Sequence, residues 1–358
     1  MPGMIGPHKG RGAPSNDSGR FEAERRVAFD DGWGAADMEP LPLNTTLTID
    51  ATRTIIARNE SPDIGFDRSI NPYRGCEHGC IYCYARPSHA YLGLSPGLDF
   101  ESRLFYKPRA AELLAAELRR KGYACRPIAL GSNTDPYQPV ERRLGITRAI
   151  LDVLREFRHP VTIVTKSALI RRDLDILAEM AKDRLAVVTV SVTTLDRALA
   201  RRMEPRAATP ERRLETIAAL VEAGVPTGVL SAPMIPALND SEMEQILARA
   251  RAAGASSAGY TLLRLPLELK GLFREWLEAH VPEKAAHVLS LVAQTHGGRL
   301  YESTWSKRMT GTGPYADMLR VRFDRVCRKL GFNQRGTATL DTSRFRPPPQ
   351  PGDQLSLF

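Results

Sequence analysis

From about residue 66 onward the chain alternates short apolar runs with longer amphipathic stretches, the pattern of parallel strands covered by helices. The strand-like runs are Phe66 to Asn71, Pro127 to Gly131, Val161 to Thr165, Leu185 to Thr193, Pro226 to Pro233 and Tyr260 to Leu265. The fourth, Leu-Ala-Val-Val-Thr-Val-Ser-Val, is almost unbroken and suits a strand buried on both faces. Between the runs, Ala110 to Lys121 reads as a helix, and Ile150, Val153, Leu154 and Phe157 recur at spacings of three and four, one apolar stripe for burial. Six such repeats predict an α/β fold, a partial (β/α)6 TIM-type barrel of parallel strands, and Tyr315 to Leu330 adds a helical C-terminal extension. The expected organisation is a flexible N-terminal extension over 1–60, a core barrel over 61–300, a helical extension over 301–332 and a disordered Pro-rich tail over 333–358. In a barrel the loops after the strands build the site, so Ser132 to Asp135, Lys166-Ser167, Ser191 to Thr194 and Pro233 to Asp240 are where function should collect.

Composition narrows this only in places. No run of eighteen apolar residues exists and Met1 to Arg20 lacks an apolar signal core, so no membrane partner is expected and the cytoplasm is the expected location. Five cysteines, three of them within eight residues, suit a metal or redox centre in a reducing compartment better than a disulfide framework. The net charge of +9 favours a polyanionic partner, yet only nine of the fifty basic residues are Lys. Arginine-rich solvated helix faces explain the same excess.

The sharpest feature is Arg74-Gly75-Cys76-Glu77-His78-Gly79-Cys80-Ile81-Tyr82-Cys83, whose thiols are spaced C-x3-C-x2-C. Three thiolates on one loop can each hold one iron of a [4Fe-4S] cube and leave the fourth iron without a protein ligand. A zinc site is the other reading, with His78 or His89 as the missing fourth ligand.

With an aromatic residue, Tyr82, just before the last cysteine, this loop resembles the signature of the radical S-adenosylmethionine superfamily. Asn71-Pro72-Tyr73-Arg74-Gly75-Cys76, Asp135-Pro136-Tyr137-Gln138-Pro139 with Glu141, and Ala232-Pro233-Met234-Ile235-Pro236 with Asn239-Asp240 resemble its bacterial branch related to spore photoproduct lyase. The resemblance implies a [4Fe-4S] cluster on Cys76, Cys80 and Cys83, S-adenosylmethionine as co-substrate, an external electron donor and a 5′-deoxyadenosyl radical as reagent. It further implies that Ser132 and Thr134 meet the methionine amine, Lys166 its carboxylate and Ser191 the ribose, while Tyr82 and the backbone of Gly228 to Ile235 flank the adenine. On the residues alone, Ser132 and Thr134 could be a hydrogen-bonded turn, Lys166 surface, and Ser191 a serine bonded to its own sheet. Glu204 resembles a recurrent family position but receives no role.

The likeness has a limit. Spore photoproduct lyase returns a hydrogen atom from a cysteine after the second strand, where this chain reads Gly131-Ser132-Asn133-Thr134-Asp135. Cys125 lies before that strand, so repair by that route is not expected; Tyr137 or Tyr260 could serve as an alternative donor, although buried tyrosines are usually structural. DNA is therefore one expected substrate, modification of a protein, peptide or tRNA a second, and a non-enzymatic zinc or iron-sulfur nucleic-acid-binding module a third. The final residues, Gln354-Leu355-Ser356-Leu357-Phe358, resemble the pentapeptide that docks repair proteins on the DNA sliding clamp, with Gln354 as polar anchor and Leu355, Leu357 and Phe358 as apolar ones. The Pro-rich stretch Arg344 to Gly352 should hold that peptide away from the barrel.

Overall fold

A computed structural model describes residues 9–24, 43–334 and 339–349. Ten strands occur among them: β1 (Thr46–Ile49), β2 (Ile56–Arg58), β3 (Arg68–Ile70), β4 (Tyr73–Arg74), β5 (Arg103–Tyr106), β6 (Ile128–Leu130), β7 (Val161–Thr165), β8 (Ala186–Ser191), β9 (Thr227–Met234) and β10 (Ser257–Leu262). The main sheet runs β10-β9-β8-β7-β6-β3-β2, and its six strands from β3 to β10 are all parallel. The six expected repeats thus form a wall in sequential order, with β2 added antiparallel at the edge. A small sheet, β1-β5-β4, flanks it.

The sequence dictates the wall through burial, one face of β7 and β8 fully covered and the other half-buried. Ile163, Val188 and Val190 are fully buried, and Ile150, Leu151 and Leu154 of helix Ile146–Glu156 close over them. The chain turns into its covering helices by local capping: Thr209 accepts from the Arg212 N–H and Pro210 opens helix Pro210–Glu222. Helix Pro314–Leu330 begins at a proline, stops at left-handed Gly331, and packs Phe323 on Tyr260 of β10 at 4.7 Å between ring centroids. No helix among the described residues is long and apolar enough to cross a membrane.

A second apolar cluster lies beyond the ends of the strands. Helices Leu269–His280 and Pro282–Gln294 bury Phe273, Trp276, Leu277 and Val288 there, together with Leu199, Met203 and Ile81 of the cysteine loop. The cysteine loop is therefore part of a core, rather than a flap over one.

Two expectations need correction. Residues 9–24 form no helix or strand, as their Gly, Pro and Asp content predicts, yet they are not free. Ala13 is buried, Arg11 donates to the Glu101 carbonyl at 2.6 Å, and Asn16 and Asp99 exchange hydrogen bonds. A segment without its own secondary structure has satisfied its backbone on buried carboxylates instead. Likewise 339–349 is docked: Phe345 packs on Tyr123 and His159, the Arg346 N–H donates to the Phe157 carbonyl at 3.0 Å, and Arg119 reaches the Pro348 carbonyl. These contacts lie where β6 and β7 begin. The candidate clamp residues Gln354, Leu355, Leu357 and Phe358 lie outside the described residues.

Candidate active site

The loop after β4 carries the three cysteines. Cys76 and Cys80 are buried and Cys83 is half-buried; Cys76 and Cys83 pack with Ala85 and Phe100. The loop is irregular, and short backbone bonds shape it, from Gly79 N–H to Cys76, Cys83 N–H to Cys80 and Arg86 N–H to Cys83. Gly79 takes a left-handed φ of +66°, and an added Cβ would lie 2.6 Å from a Glu101 oxygen. On its other side Gly12 approaches so closely that a Cβ would meet the Gly79 carbonyl oxygen.

Side chains then fix the loop from below. Arg86, fully buried, donates to the carbonyls of Gly79, Cys80, Pro96 and Gly97 and pairs with Glu101, itself fully buried. Glu101 also accepts from the N–H groups of Gly12 and Ala13 at 2.9 and 2.8 Å. Gln138 clamps the loop's start, accepting from Glu77 N–H at 2.8 Å and donating to the Gly75 carbonyl. A buried pair of this sort contributes little net stability when intact, but losing one partner strands the other charge.

The ends of the strands face the loop. Asp135, after β6, lies 3.4 Å from His78 and accepts from the Lys166 N–H and the Thr165 hydroxyl, both at 2.7 Å. Burial pushes its pKa up, but His78 and these donors outweigh burial and hold it at about 2. Thr193, past β8, donates to buried Glu204 at 2.6 Å and lies 3.2 Å from the Tyr82 hydroxyl. Glu204 is paired with buried Arg213. Asn239 ties the ends of β8 and β9 together through the carbonyls of Thr193 and Pro233.

Lys166, immediately after β7, places its ammonium 5.7 Å from the centroid of the Tyr82 ring and close enough to Cys80 to lower that thiol's pKa. Burial is the larger influence and drives the pKa values of Cys76 and Cys80 upward, and the neighbouring thiols push the same way. Three crowded thiolates, two of them buried, are unfavourable unless a cationic centre joins them.

The family model of the radical SAM superfamily matches residues 70–250. The chain belongs to the radical SAM superfamily. An uncharacterized protein of Mycobacterium tuberculosis is 39% identical over 232 residues, covering 63% of this chain and 68% of that protein. An uncharacterized protein of Methanocaldococcus jannaschii is 28% identical over 214 residues, covering 60% of this chain and 76% of that one. Among solved structures, spore photoproduct lyase complexed with dinucleoside spore photoproduct superposes with a TM-score of 0.57 at 14% identity, covering 80% of each chain. That likeness is one of fold.

Within this radical SAM fold the structure brings Cys76, Cys80, Cys83, Tyr82 and Lys166 into one neighbourhood. The remaining expected residues are tied into the scaffold. Ser132 exchanges hydrogen bonds with Asn71, Thr134 is buried and donates to the Tyr73 carbonyl, and Ser191 is fully buried and donates to the Ala232 carbonyl. Those are the turn and own-sheet arrangements that the residues alone also allowed. Tyr137 and Tyr260 turn to the helix side of the wall, beside Arg172 and Asp173 in one case and Phe323 in the other, so neither adjoins the cysteine loop. Cys125 lies ahead of β6, away from the loop, and Cys327 is buried in helix Pro314–Leu330.

Sequence reasoning missed Arg86, Glu101 and the role of Glu204. Charged residues read as solvent-facing by default, and nothing in their spacing announces pairing across nine or fifteen positions.

The donor set fits a cluster better than zinc. The two histidines that could complete a zinc site are engaged elsewhere, His78 3.4 Å from Asp135 and His89 3.0 Å from the Arg103 carbonyl. A structural zinc site needs four ligands around a single ion, whereas a [4Fe-4S] cube takes one thiolate on each of three separate irons.

Proposed function

We propose that this radical SAM protein is an enzyme that binds a [4Fe-4S] cluster through Cys76, Cys80 and Cys83 and reductively cleaves S-adenosylmethionine to act on a nucleic acid. The observation that carries this reading is the grouping of two buried thiols, Cys76 and Cys80, and half-buried Cys83 with Lys166, a cation that makes no ion pair among the described residues. The cluster would supply the electron that breaks the sulfonium bond and yields the 5′-deoxyadenosyl radical, with an external donor re-reducing it. The chain's part is binding and exclusion. Lys166 would pair with the methionine carboxylate, Tyr82 would offer its ring to the adenine, and the buried loop would keep water from the radical. Ser132, Thr134 and Ser191 support that pocket through the Asn71, Tyr73 and Ala232 contacts.

Lys166→Met tests the assignment by equilibrium binding. S-adenosylmethionine affinity should fall about tenfold or more, as expected when a carboxylate loses a charged partner worth about 1 to 3 kcal/mol, while iron content stays unchanged. Unaltered affinity would remove Lys166 from the site.

The nucleic-acid substrate is supported by the +9 charge, by the fold shared with spore photoproduct lyase, and by the clamp-like terminus. We further propose that Gln354 to Phe358 engage the DNA sliding clamp. Residues 339–349 dock where β6 and β7 begin, at the end of the wall opposite the cysteine loop. A synthetic peptide of the last residues should bind purified clamp with micromolar affinity and lose it when Gln354, Leu357 and Phe358 become Ala; equal, negligible binding of both peptides contradicts the proposal.

A further inference from the structure

Cys83 is flanked by two tyrosines, and each has a cation over its ring. Lys166 lies over Tyr82 at 5.7 Å, and the guanidinium of Arg264 lies over Tyr84 at 4.3 Å. Arg264 follows β10, so it sits at the same end of the wall as Lys166 and the cysteine loop. Tyr84 is 44% exposed and its hydroxyl donates to the Ser132 carbonyl, which bridges the loop to the end of β6.

Arg264 is half-buried, and among the described residues it makes no hydrogen bond or ion pair. Burial pulls its pKa below the ordinary value, only partly offset by Tyr84, Tyr301 and a distant Asp63. The nearby Arg308 is different, because it is neutralised by Asp63, with contacts of 2.8 and 2.6 Å. That pair spans 245 positions and stitches the β2–β3 loop to the segment after β10, across the open seam between the first and last strands of the wall. The seam is bridged by a satisfied pair, and at the same end of the wall the guanidinium of Arg264, without an ion-pair partner among the described residues, lies over an aromatic ring.

A partly desolvated guanidinium over a ring and without a counter-anion can receive one, and its planar fork matches a phosphate or carboxylate bidentately. S-adenosylmethionine offers a single carboxylate, for which Lys166 is the partner in the reading above. We infer that Arg264, seated on Tyr84, binds a backbone phosphate of the nucleic-acid substrate beside the cysteine loop. This rests on the proposed radical SAM function, and Arg264 is a binding residue that orients substrate at the mouth.

The test uses the full chain, anaerobically reconstituted, and a fluorescein-labelled single-stranded deoxyoligonucleotide ten nucleotides long, followed by anisotropy across a salt series. Arg264→Gln should weaken binding about tenfold and reduce the slope of log affinity against log salt by about one, the signature of one lost phosphate contact. Arg264→Lys should recover part of the affinity, since it keeps the charge and loses the fork. Arg212→Gln, on an exposed helix face and paired with Glu215, should bind as wild type does. S-adenosylmethionine affinity, measured on the same Arg264→Gln preparation, should stay within twofold of wild type. The inference is overturned if Arg264→Gln binds the oligonucleotide as wild type does, if wild type does not bind it, or if the variant loses S-adenosylmethionine instead, which would give Arg264 to the cofactor carboxylate. Reductive cleavage of S-adenosylmethionine by wild type without oligonucleotide reports separately on the enzyme reading.

Discussion

The two ends of the strand wall are held by different forces. Beyond the strand ends, the cysteine loop is fixed by fully buried charges, Arg86 with Glu101 and Glu204 with Arg213, each aimed at backbone groups or at a hydroxyl touching Tyr82. At the opposite end, the 339–349 segment is held by one half-buried ring, Phe345, by a few backbone bonds and by exposed pairs such as Arg184 with Asp341 at 2.9 Å and Arg344 with Asp183 at 2.8 Å. Exposed pairs contribute about 0 to 1 kcal/mol. The first arrangement makes a rigid cradle that fails as a unit; the second makes an attachment that can come away without disturbing the rest.

The largest expected effect is at the rigid end. Glu101→Ala leaves Arg86 buried and uncompensated and frees the Gly12 and Ala13 N–H groups, a change of about 3 to 5 kcal/mol. A urea titration should show that loss, and reconstituted iron content should fall with it. A midpoint within about 0.5 kcal/mol of wild type would mean the pair is not what holds the loop.

Acid should act at both ends at once. His89, against Phe100 beside the loop, and His159, beneath Phe345, are both buried, and burial lowers each pKa to about 4 despite backbone contacts that act the other way. A folded pKa below the unfolded value near 6.5 means that the unfolded chain takes up protons first. Their stabilisation is therefore complete above about pH 6.5 and is lost as pH falls toward 4, roughly 2 kcal/mol for each at pH 5. His159→Gln should remove about 2 kcal/mol of the stability change measured between pH 7 and pH 5, with His280 and His296, whose pKa values burial also lowers, contributing to the remainder. An undiminished dependence would place the titrating groups elsewhere.

The smallest effect belongs to the attachment. Phe345→Ala should cost about 1 kcal/mol or less globally, yet expose 339–349 to limited proteolysis while S-adenosylmethionine cleavage is unchanged. Equal protease resistance would show that the segment is held by something other than this ring.

The same contrast explains what the sequence discloses. Strands β7, β8 and β9 are legible because one face is fully buried and the other at least partly so, which leaves runs rich in β-branched and apolar residues. β10 begins three residues earlier than Tyr260 because Ser257, Ala258 and Gly259 carry no apolar signal, while Leu263 and Leu265 are buried past its end. β1 and β2 escape notice since short strands at sheet edges stay mostly solvated, as Thr46 to Ile49 does. The cysteine spacing and Lys166 after β7 can be read locally. Arg86 with Glu101, Arg213 with Glu204 and Arg264 on Tyr84 cannot, because each depends on which distant residue the fold brings to it. The described residues 339–349 carry no helix or strand, but a Pro-rich composition says nothing of a single ring finding a pocket.

The central claim is that the three thiols hold a cluster that cleaves S-adenosylmethionine, and anaerobic reconstitution followed by dithionite and chromatographic detection of 5′-deoxyadenosine tests it most directly. Wild type should bind about four irons, absorb broadly in the visible range and release 5′-deoxyadenosine. Replacing Cys76, Cys80 or Cys83 by Ala should abolish both properties, while replacing Cys125 should spare them. A wild-type chain that takes up one zinc, gains no visible band and forms no 5′-deoxyadenosine would contradict the account.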